Sequence, residues 1–206
     1  MAHPIMWYFT QLPSEITSLI EKDLEGLDPF LEKSTVIGSN EDTLIRNSEN
    51  AWLTSCSWIA GYLWYFIDRA NKTNFLYDIS GIDKESIQYT SYGKGQYYGW
   101  HSDDSLVLHH TKEQISYRGV DEERSKQKSL LGDELVRKIS FSLQLSGPEE
   151  YKGGQFQIIE GEKMSFAPKQ RGTLIIFDSR IRHRVLPVKE GIRKSLVGWV
   201  IGPRWK

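Results

Sequence analysis

The chain has 206 residues, of which 39% are hydrophobic, so we expect one domain with a substantial core. Its formal net charge is −1. This near-neutral charge argues against a protein that binds nucleic acid or an anionic membrane surface. No apolar stretch is long enough to span a bilayer, and the N-terminus lacks the basic start and apolar run of a secretory signal. Cys56 is the single cysteine and cannot form an intrachain disulfide, which is typical of a reducing compartment, and we expect a cytoplasmic protein.

The first part of the sequence predicts one short strand followed by two amphipathic helices. Residues 6–10 predict the strand. Four apolar side chains then recur at helical spacing and predict the first helix: Ile16, Leu19, Ile20 and Leu24. Pro13 precedes this helix and Gly26 follows it, at the positions where each residue is favoured. Five side chains predict one face of a second helix: Ile59, Leu63, Phe66, Ile67 and Ala70. We expect a loop with Asn71 and Asn74 to end it.

From residue 87 onward the sequence predicts short strands separated by glycine turns. Residues 138–146 alternate, which places an apolar row and a polar row on opposite faces of a strand. The apolar row is Ile139, Phe141, Leu143 and Leu145, and the polar row is Ser140, Ser142 and Gln144. A second strand, 155–159, follows the Gly153-Gly154 turn. Residues 174–177 are a continuous apolar run, as in a strand buried on both faces, and 195–201 predict a final strand.

Helices that precede strands favour a mainly β fold with packed helices, in which the helices cover a β-sandwich or barrel. We expect a single domain over residues 1–206. Within it, residues 1–86 would support a core formed by 87–201. The charged segment 104–137 would be a lid-like insert or a solvated loop.

Two histidines and one aspartate suggest a metal site. His101 and Asp103 are two residues apart, so their side chains converge on one side of an extended chain. His183 follows the buried run 174–177 after a short polar turn, where a ligand at a strand end is expected. Two imidazoles and one carboxylate on one face of an octahedral ion leave three positions open, as non-haem iron(II) oxygenases require. Taken singly, the His-x-Asp triplet is better explained by a surface histidine, and His183 is more often a structural histidine; the metal site is indicated by the three residues together.

Arg193 and Ser195 lie on one face of the predicted last strand. A guanidinium presents paired donors that match a carboxylate, and the hydroxyl adds another donor. Together they would bind the distal carboxylate of a dicarboxylic acid. The alternative is that Arg193 is a solvated surface residue. The polar row on 138–146 either lines the same pocket or is solvated.

The residues around these positions resemble the 2-oxoglutarate/Fe(II) oxygenases of the prolyl 4-hydroxylase type. The first part of the match is Tyr92-x-x-Gly95-Gln96-x-Tyr98-x-x-His101-x-Asp103. The second part runs from His183 to Arg193 and continues through Ser195 and Trp199. Residues 140–200 are also similar to bacterial PKHD-type hydroxylases, through Leu145-Ser146, Tyr151-x-Gly153-Gly154 and His183-Arg184-Val185-x-Pro187-Val188.

The resemblance implies a double-stranded β-helix (a jelly roll) with N-terminal helices and with iron(II) held by His101, Asp103 and His183. It implies that 2-oxoglutarate and O₂ are co-substrates, that succinate and CO₂ are released, and that ascorbate is a supporting reductant. Arg193 would bind the far carboxylate of 2-oxoglutarate, with Ser195 beside it. Many collagen-type prolyl hydroxylases have lysine at this position.

The resemblance also assigns residues to the co-substrate and the substrate. Tyr92 matches a tyrosine near the co-substrate, and Gln144 stands where related enzymes can carry a tyrosine that contacts it. Tyr98 and Trp199 match aromatic residues that face the prolyl ring of the substrate, although each is alternatively a core aromatic. Arg46-x-Ser48-x-x-x-Trp52 resembles a substrate-side loop, or is a plain surface loop.

Other readings of the sequence remain open. The substrate is a protein or peptide residue or, alternatively, a free amino acid or other small molecule. A nucleic-acid demethylase is disfavoured, because such enzymes carry a second arginine where Trp199 stands. A jelly-roll binding module with an inactive site is a further alternative. Asp104, His109 and His110 are alternative metal ligands, although Asp104 would point away from His101 on a regular strand.

Overall fold

The structure is a computed structural model. It describes residues 6–34, 46–53, 58–83, 87–104 and 135–205. Cys56, His109, His110 and most of the predicted insert lie outside these ranges.

Helix α1 spans Ser14–Leu24 and continues through Gly26 as a 3₁₀ helix, Glu25–Phe30. The buried side chains of α1 are Thr17, Ile20 and Leu24. The predicted helix is present, and Leu19, one of the four apolar residues that indicated it, is exposed. The buried stripe follows the spacing 17-20-24, which turns Leu19 away from the sheet.

Helix α2 spans Trp58–Ala70, and the side chains that it buries include Ile59, Leu63, Ile67 and Ala70, as predicted. Phe66 is half-buried and packs against the same core. The predicted loop after α2 is instead a π-helical segment, Asn71–Phe75. The buried Asn71 amide exchanges two 2.9 Å hydrogen bonds with the main chain of Tyr77, which fix the chain just after this segment. None of the helices in the described ranges combines the length and apolar composition needed to cross a bilayer.

Fifteen strands lie in the described residues. They are β1 Trp7–Gln11, β2 Glu32–Lys33, β3 Arg46–Asn47, β4 Glu49–Trp52, β5 Gly81–Ile82, β6 Gln88–Tyr92, β7 Tyr97–His101, β8 Leu135–Gln144, β9 Tyr151–Gly153, β10 Phe156–Glu160, β11 Lys163–Phe166, β12 Thr173–Asp178, β13 Arg182–Val185, β14 Val188–Gly191 and β15 Arg193–Pro203.

The strands form two antiparallel sheets and a small ribbon. The major sheet has the order β1-β12-β8-β15-β6-β4-β2, with β5 paired to β15. The minor sheet has the order β11-β10-β13-β7-β3. Strands β9 and β14 pair separately. The two-residue strands β2, β3 and β5 were not predicted, because two residues are too few to show an alternation.

One core lies between the helices and the outer face of the major sheet. The predicted apolar row of β8 belongs to it: Ile139, Phe141, Leu143 and Leu145. Ile20 of α1 and Leu63 of α2 are in the same cluster and are fully buried. The predicted mainly β fold with packed helices is therefore confirmed.

A second core lies between the two sheets. Ile175 and Phe177 of β12 contribute from the major sheet, and Phe156 and Ile158 of β10 from the minor sheet. The predicted apolar run 174–177 is thus buried on both faces. The inner face of the major sheet also carries a buried polar row on β8, in which Ser140, Ser142 and Gln144 are each at most 2% exposed. These side chains are buried, which rules out the solvated alternative.

A glycine on β15 gives a direct test of the packing in the first core. Gly198 pairs with Phe141, and a Cβ at position 198 would lie 2.5 Å from Phe141 Cζ. Because the Phe141 ring is buried and cannot move aside freely, we expect Gly198→Ala to destabilise the protein by about 1–3 kcal/mol in urea unfolding.

Gly26→Ala is the matched control, because a Cβ there meets nothing within 4 Å; its effect should stay within about 0.5 kcal/mol. Combining Gly198→Ala with Phe141→Leu should cost less than the sum of the two single changes. Equal stability of Gly198→Ala and wild type would contradict the packing described.

Candidate metal and co-substrate site

Strand pairing brings the two predicted histidines together. His101 of β7 lies directly opposite His183 of β13, and their ring centroids are 4.1 Å apart. His101 Nδ1 lies 2.8 Å from the carbonyl oxygen of Gly99, and His183 Nδ1 lies 3.0 Å from that of Ile181. A carbonyl only accepts, so each Nδ1 carries the hydrogen. In the neutral form of either ring, Nε2 is then the nitrogen without a hydrogen and the one that can bind a metal.

Asp103 completes the cluster from beyond the end of β7. Its main-chain N–H donates to the carbonyl of Ser179 at 2.7 Å, which fixes the segment after the strand. One carboxylate oxygen lies 3.7 Å from His101 Nε2 and the other lies 3.5 Å from His183 Nε2. The three residues offer ligand atoms that all lie within 4.8 Å of one another. Two neutral imidazoles and one carboxylate are a donor set that suits iron(II).

Aromatic side chains pack around the two imidazoles and restrict their orientation. Phe177 contacts His183 edge-on at a centroid distance of 4.7 Å, and Phe156 lies against it at 5.4 Å. Tyr98 stacks on His101 at 3.5 Å with an interplanar angle of 15°. The ligand nitrogens are thus held in place by packing as well as by hydrogen bonds.

The charges of the cluster suit metal binding. Burial alone would raise the pKa of Asp103, but the adjacent His183 and His101, a hydrogen bond from Ser140 and the charge of Arg137 hold it below its usual value. Burial lowers the pKa of His101 to about 4; repulsion from His183 adds to this effect, and Asp103 opposes it. At neutral pH the cluster therefore offers an ionised carboxylate and an uncharged His101.

Arg193 is 1% exposed and lies opposite Tyr92 in the major sheet. Its Nη1 donates to Ser195 Oγ at 3.3 Å, and its Nη2 donates to Gln144 Oε1. Its Nε has no hydrogen-bond partner in the described residues, and no carboxylate among them forms an ion pair with it. Since a buried cation is costly without an anion, this arrangement suits a carboxylate supplied by a ligand.

Polar side chains of β8 connect the cluster of His101, Asp103 and His183 with Arg193. Ser140 hydrogen-bonds to Asp103 and lies 3.0 Å from Ser179 Oγ, and Gln144 contacts Arg193. Ser142 lies between them on the same face. Its hydroxyl, like that of Thr90 on β6, is buried without a partner among the described residues. The predicted polar row therefore runs, buried, from the His101, Asp103 and His183 cluster to Arg193.

Two arginines stack on the predicted substrate-side aromatics. Arg46 Cζ lies 4.8 Å from the ring centroid of Tyr98, and Arg137 Cζ lies 3.7 Å from that of Trp199. Arg46 is buried and donates to Ser48 and Gln88. The plain-surface-loop alternative for the segment around Arg46 is therefore wrong at this residue.

Sequence reasoning missed Arg137. The predicted alternating strand began at Lys138, but β8 begins at Leu135 and has a bulge, so that Ile201 pairs with Arg137 while Val200 pairs with Ile139. Such a bulge re-aims side chains beside a site. The arginine directly before the alternating run was the available signal.

Two other sequence candidates lie apart from the cluster. Asp104 is exposed and accepts a hydrogen bond from Ser102, so it points away from the histidines. Trp52 is 44% exposed and, unlike Arg46, is not buried in the site. His109 and His110 lie outside the described residues.

The family of the chain follows from comparison with known proteins. A family profile described as the 2OG-Fe(II) oxygenase superfamily matches residues 87–201. This chain belongs to that superfamily. The matched range contains the whole cluster and Arg193, and the donor set described above fits the iron(II) and 2-oxoglutarate after which the superfamily is named.

Curated relatives are named as PKHD-type hydroxylases. One from Synechococcus sp. (strain JA-2-3B'a(2-13)) is 33% identical over 134 residues, which cover 64% of this chain and 50% of that protein. One from Rippkaea orientalis is 27% identical over 191 residues, covering 89% of this chain and 73% of that protein. The chain spans about half the length of the Synechococcus relatives that it matches.

Solved structures share the fold. A prolyl-4-hydroxylase from Pseudomonas putida has a TM-score of 0.65 at 17% identity, over 97% of this chain and 93% of that chain. A Trichoplax adhaerens prolyl hydroxylase in complex with a hypoxia inducible factor oxygen degradation domain peptide fragment has a TM-score of 0.70 at 16% identity, over 96% and 84%. A viral collagen prolyl hydroxylase from Paramecium Bursaria Chlorella virus-1, solved as a 2OG complex, has a TM-score of 0.62 at 19% identity, over 96% and 97%. The predicted jelly roll is confirmed.

The lowered pKa of His101 gives a testable expectation for the metal-free protein. Burial and the neighbouring His183 disfavour the imidazolium form of His101. This side chain should therefore stay neutral at pH 6 and take up its proton near pH 4. An exposed histidine has a pKa of about 6.5. Nitrogen NMR of the imidazoles across this range measures the midpoint, and a His101→Gln variant assigns the signal. A midpoint at or above about 6.5 would contradict the described environment.

Proposed function

We propose that this chain is a 2-oxoglutarate- and iron(II)-dependent dioxygenase of the prolyl 4-hydroxylase type that hydroxylates a residue of a peptide or protein. The observation that supports this most strongly is the convergence of His101, Asp103 and His183 at one end of the buried polar row of β8, which has Arg193 at its other end. Membership of the oxygenase superfamily supports the reaction class.

In this proposal, His101 Nε2, His183 Nε2 and one Asp103 oxygen hold iron(II). The bound iron, with 2-oxoglutarate and O₂, supplies the oxidation that hydroxylates the substrate and releases succinate and CO₂. The protein residues provide geometry: the Gly99 and Ile181 carbonyls orient the imidazoles, and Ser140 orients the carboxylate.

The pocket side chains position the co-substrate. The guanidinium of Arg193 would pair with the distal carboxylate of 2-oxoglutarate, and Ser195 and Tyr92 lie against that guanidinium. Gln144 also contacts Arg193 and limits its movement. The chelating end of the co-substrate would then lie toward the metal cluster.

The substrate would enter beside Tyr98 and Trp199. These two rings and the arginines stacked on them, Arg46 and Arg137, form the polar and aromatic surroundings of the metal cluster. An extended peptide has both an apolar ring, when it contains proline, and carbonyl groups that accept hydrogen bonds from arginine. The peptide held by the Trichoplax neighbour supports a peptide substrate.

Mass spectrometry of proline-containing peptides, incubated with the protein, iron(II) and 2-oxoglutarate, tests the proposal. We expect one added oxygen on a peptide and an equal amount of succinate. Because each ligand is needed to hold the metal, His183→Ala or Asp103→Ala should lower turnover by about 10³-fold or more.

Ser102→Ala is the matched control, since Ser102 lies between two ligands but its hydroxyl bonds to the exposed Asp104; this variant should keep its activity. If the protein oxidises a free amino acid but no peptide, the proposed peptide substrate is wrong and the substrate is a small molecule. If no succinate forms with either class of substrate, the result supports the alternative of an inactive binding module.

A further inference from the structure

Tyr151 is a buried tyrosine that lies next to Arg193. It begins β9 and is 3% exposed. Gly154, with φ +59°, separates the two side chains: a Cβ there would lie 3.0 Å from Tyr151 Cε2 and 3.2 Å from Arg193 Cδ. Both the backbone conformation and this close approach require glycine. The Gly153-Gly154 turn therefore holds the tyrosine ring against the arginine.

The hydrogen bonds among Arg193, Gln144 and Tyr151 have one possible direction. A guanidinium only donates, so Gln144 Oε1 is the acceptor from Arg193 Nη2. Gln144 Nε2 must then be the donor to Tyr151 Oη, at 2.9 Å. The Tyr151 oxygen therefore accepts in this bond, and its own hydrogen is free to be donated. In the described part of the chain, no group accepts that hydrogen.

Two cationic side chains, Arg193 and Lys169, lie beside the same tyrosine. Lys169 Nζ lies 4.2 Å from the Tyr151 ring centroid and donates to the carbonyl of Gly153 at 3.3 Å. Burial and the charge of Arg193 lower the pKa of Lys169. Within the described ranges, neither cation forms an ion pair with a carboxylate. Arg193, Lys169 and the hydroxyl hydrogen of Tyr151 can all interact with an acceptor, and together they suit an anionic group of a ligand.

We propose that the Tyr151 hydroxyl donates a hydrogen bond to the distal carboxylate of 2-oxoglutarate, beside the guanidinium of Arg193. This inference rests on the proposed function. Gln144 then orients Tyr151 and Arg193 through both ends of its amide.

The test compares two 2-oxo acids: 2-oxoglutarate, and pyruvate, which lacks the distal carboxylate. Binding of each to the Mn(II)-loaded protein without O₂ is measured by water-proton relaxation. We expect Tyr151→Phe to weaken 2-oxoglutarate binding about tenfold, the size of a hydrogen bond to a charged group, and to leave pyruvate binding unchanged. Gln144→Met, which keeps Tyr151 but removes its orienting donor, should weaken 2-oxoglutarate binding several-fold.

Tyr89→Phe is the matched control. Tyr89 is equally buried and its hydroxyl is also hydrogen-bonded, but it belongs to the core on the helix side of the major sheet; this variant should bind both acids normally. If Tyr151→Phe binds 2-oxoglutarate as the wild type does, or binds both acids equally less tightly, the proposed role of Tyr151 is wrong. The proposed function is not affected by either result. Failure of the wild-type protein to bind 2-oxoglutarate at all would instead overturn the proposed function, and this inference with it.

Discussion

The antiparallel pairing of β7 with β13 is the constraint on which the site depends. It places His101 directly opposite His183, at a centroid distance of 4.1 Å. For each histidine, the carbonyl of the residue two positions earlier accepts the Nδ1 hydrogen and leaves Nε2 free. Because main-chain hydrogen bonds and aromatic packing set this geometry, the fold itself arranges the two nitrogens that we propose as iron ligands. Asp103 then needs one anchor, the carbonyl of Ser179, to reach the same point.

The inner face of the major sheet departs from the usual packing of a β-sandwich, in which the inner faces are apolar. Its polar side chains lie in a row from Ser140, beside the metal cluster, to Gln144, beside Arg193. Within the described residues, the buried guanidinium of Arg193 has no carboxylate partner and the hydroxyl of Ser142 has no hydrogen-bond partner. Such groups reduce the stability of the free protein. This cost is understandable if a dicarboxylic ligand occupies the pocket during function, since its charge and oxygens would satisfy these groups.

Periodicity predicted those elements that are long enough to show it. Strand β8, strand β12 and the two helices each contain enough residues to reveal which side chains face the core. Arg137 was missed because a bulge changes the direction of side chains and leaves no trace in an alternation pattern. Arg46 was placed in a loop because its two-residue strand exists only through pairing with β7. Tyr151 stood in a recognisable motif, but its contact with Gln144 depends on the packing of distant strands and on the direction of a hydrogen-bond chain.

A crystal structure of the protein grown without O₂ in the presence of Mn(II) and 2-oxoglutarate tests the central claim most directly, because anomalous diffraction locates the ion without assumptions. The account predicts a single ion bound by Nε2 of both histidines and by an Asp103 oxygen, with the two-carbon chelating end of the co-substrate on the ion and its other carboxylate at Arg193. An ion bound elsewhere, or a co-substrate that leaves Arg193 without a carboxylate, would contradict it.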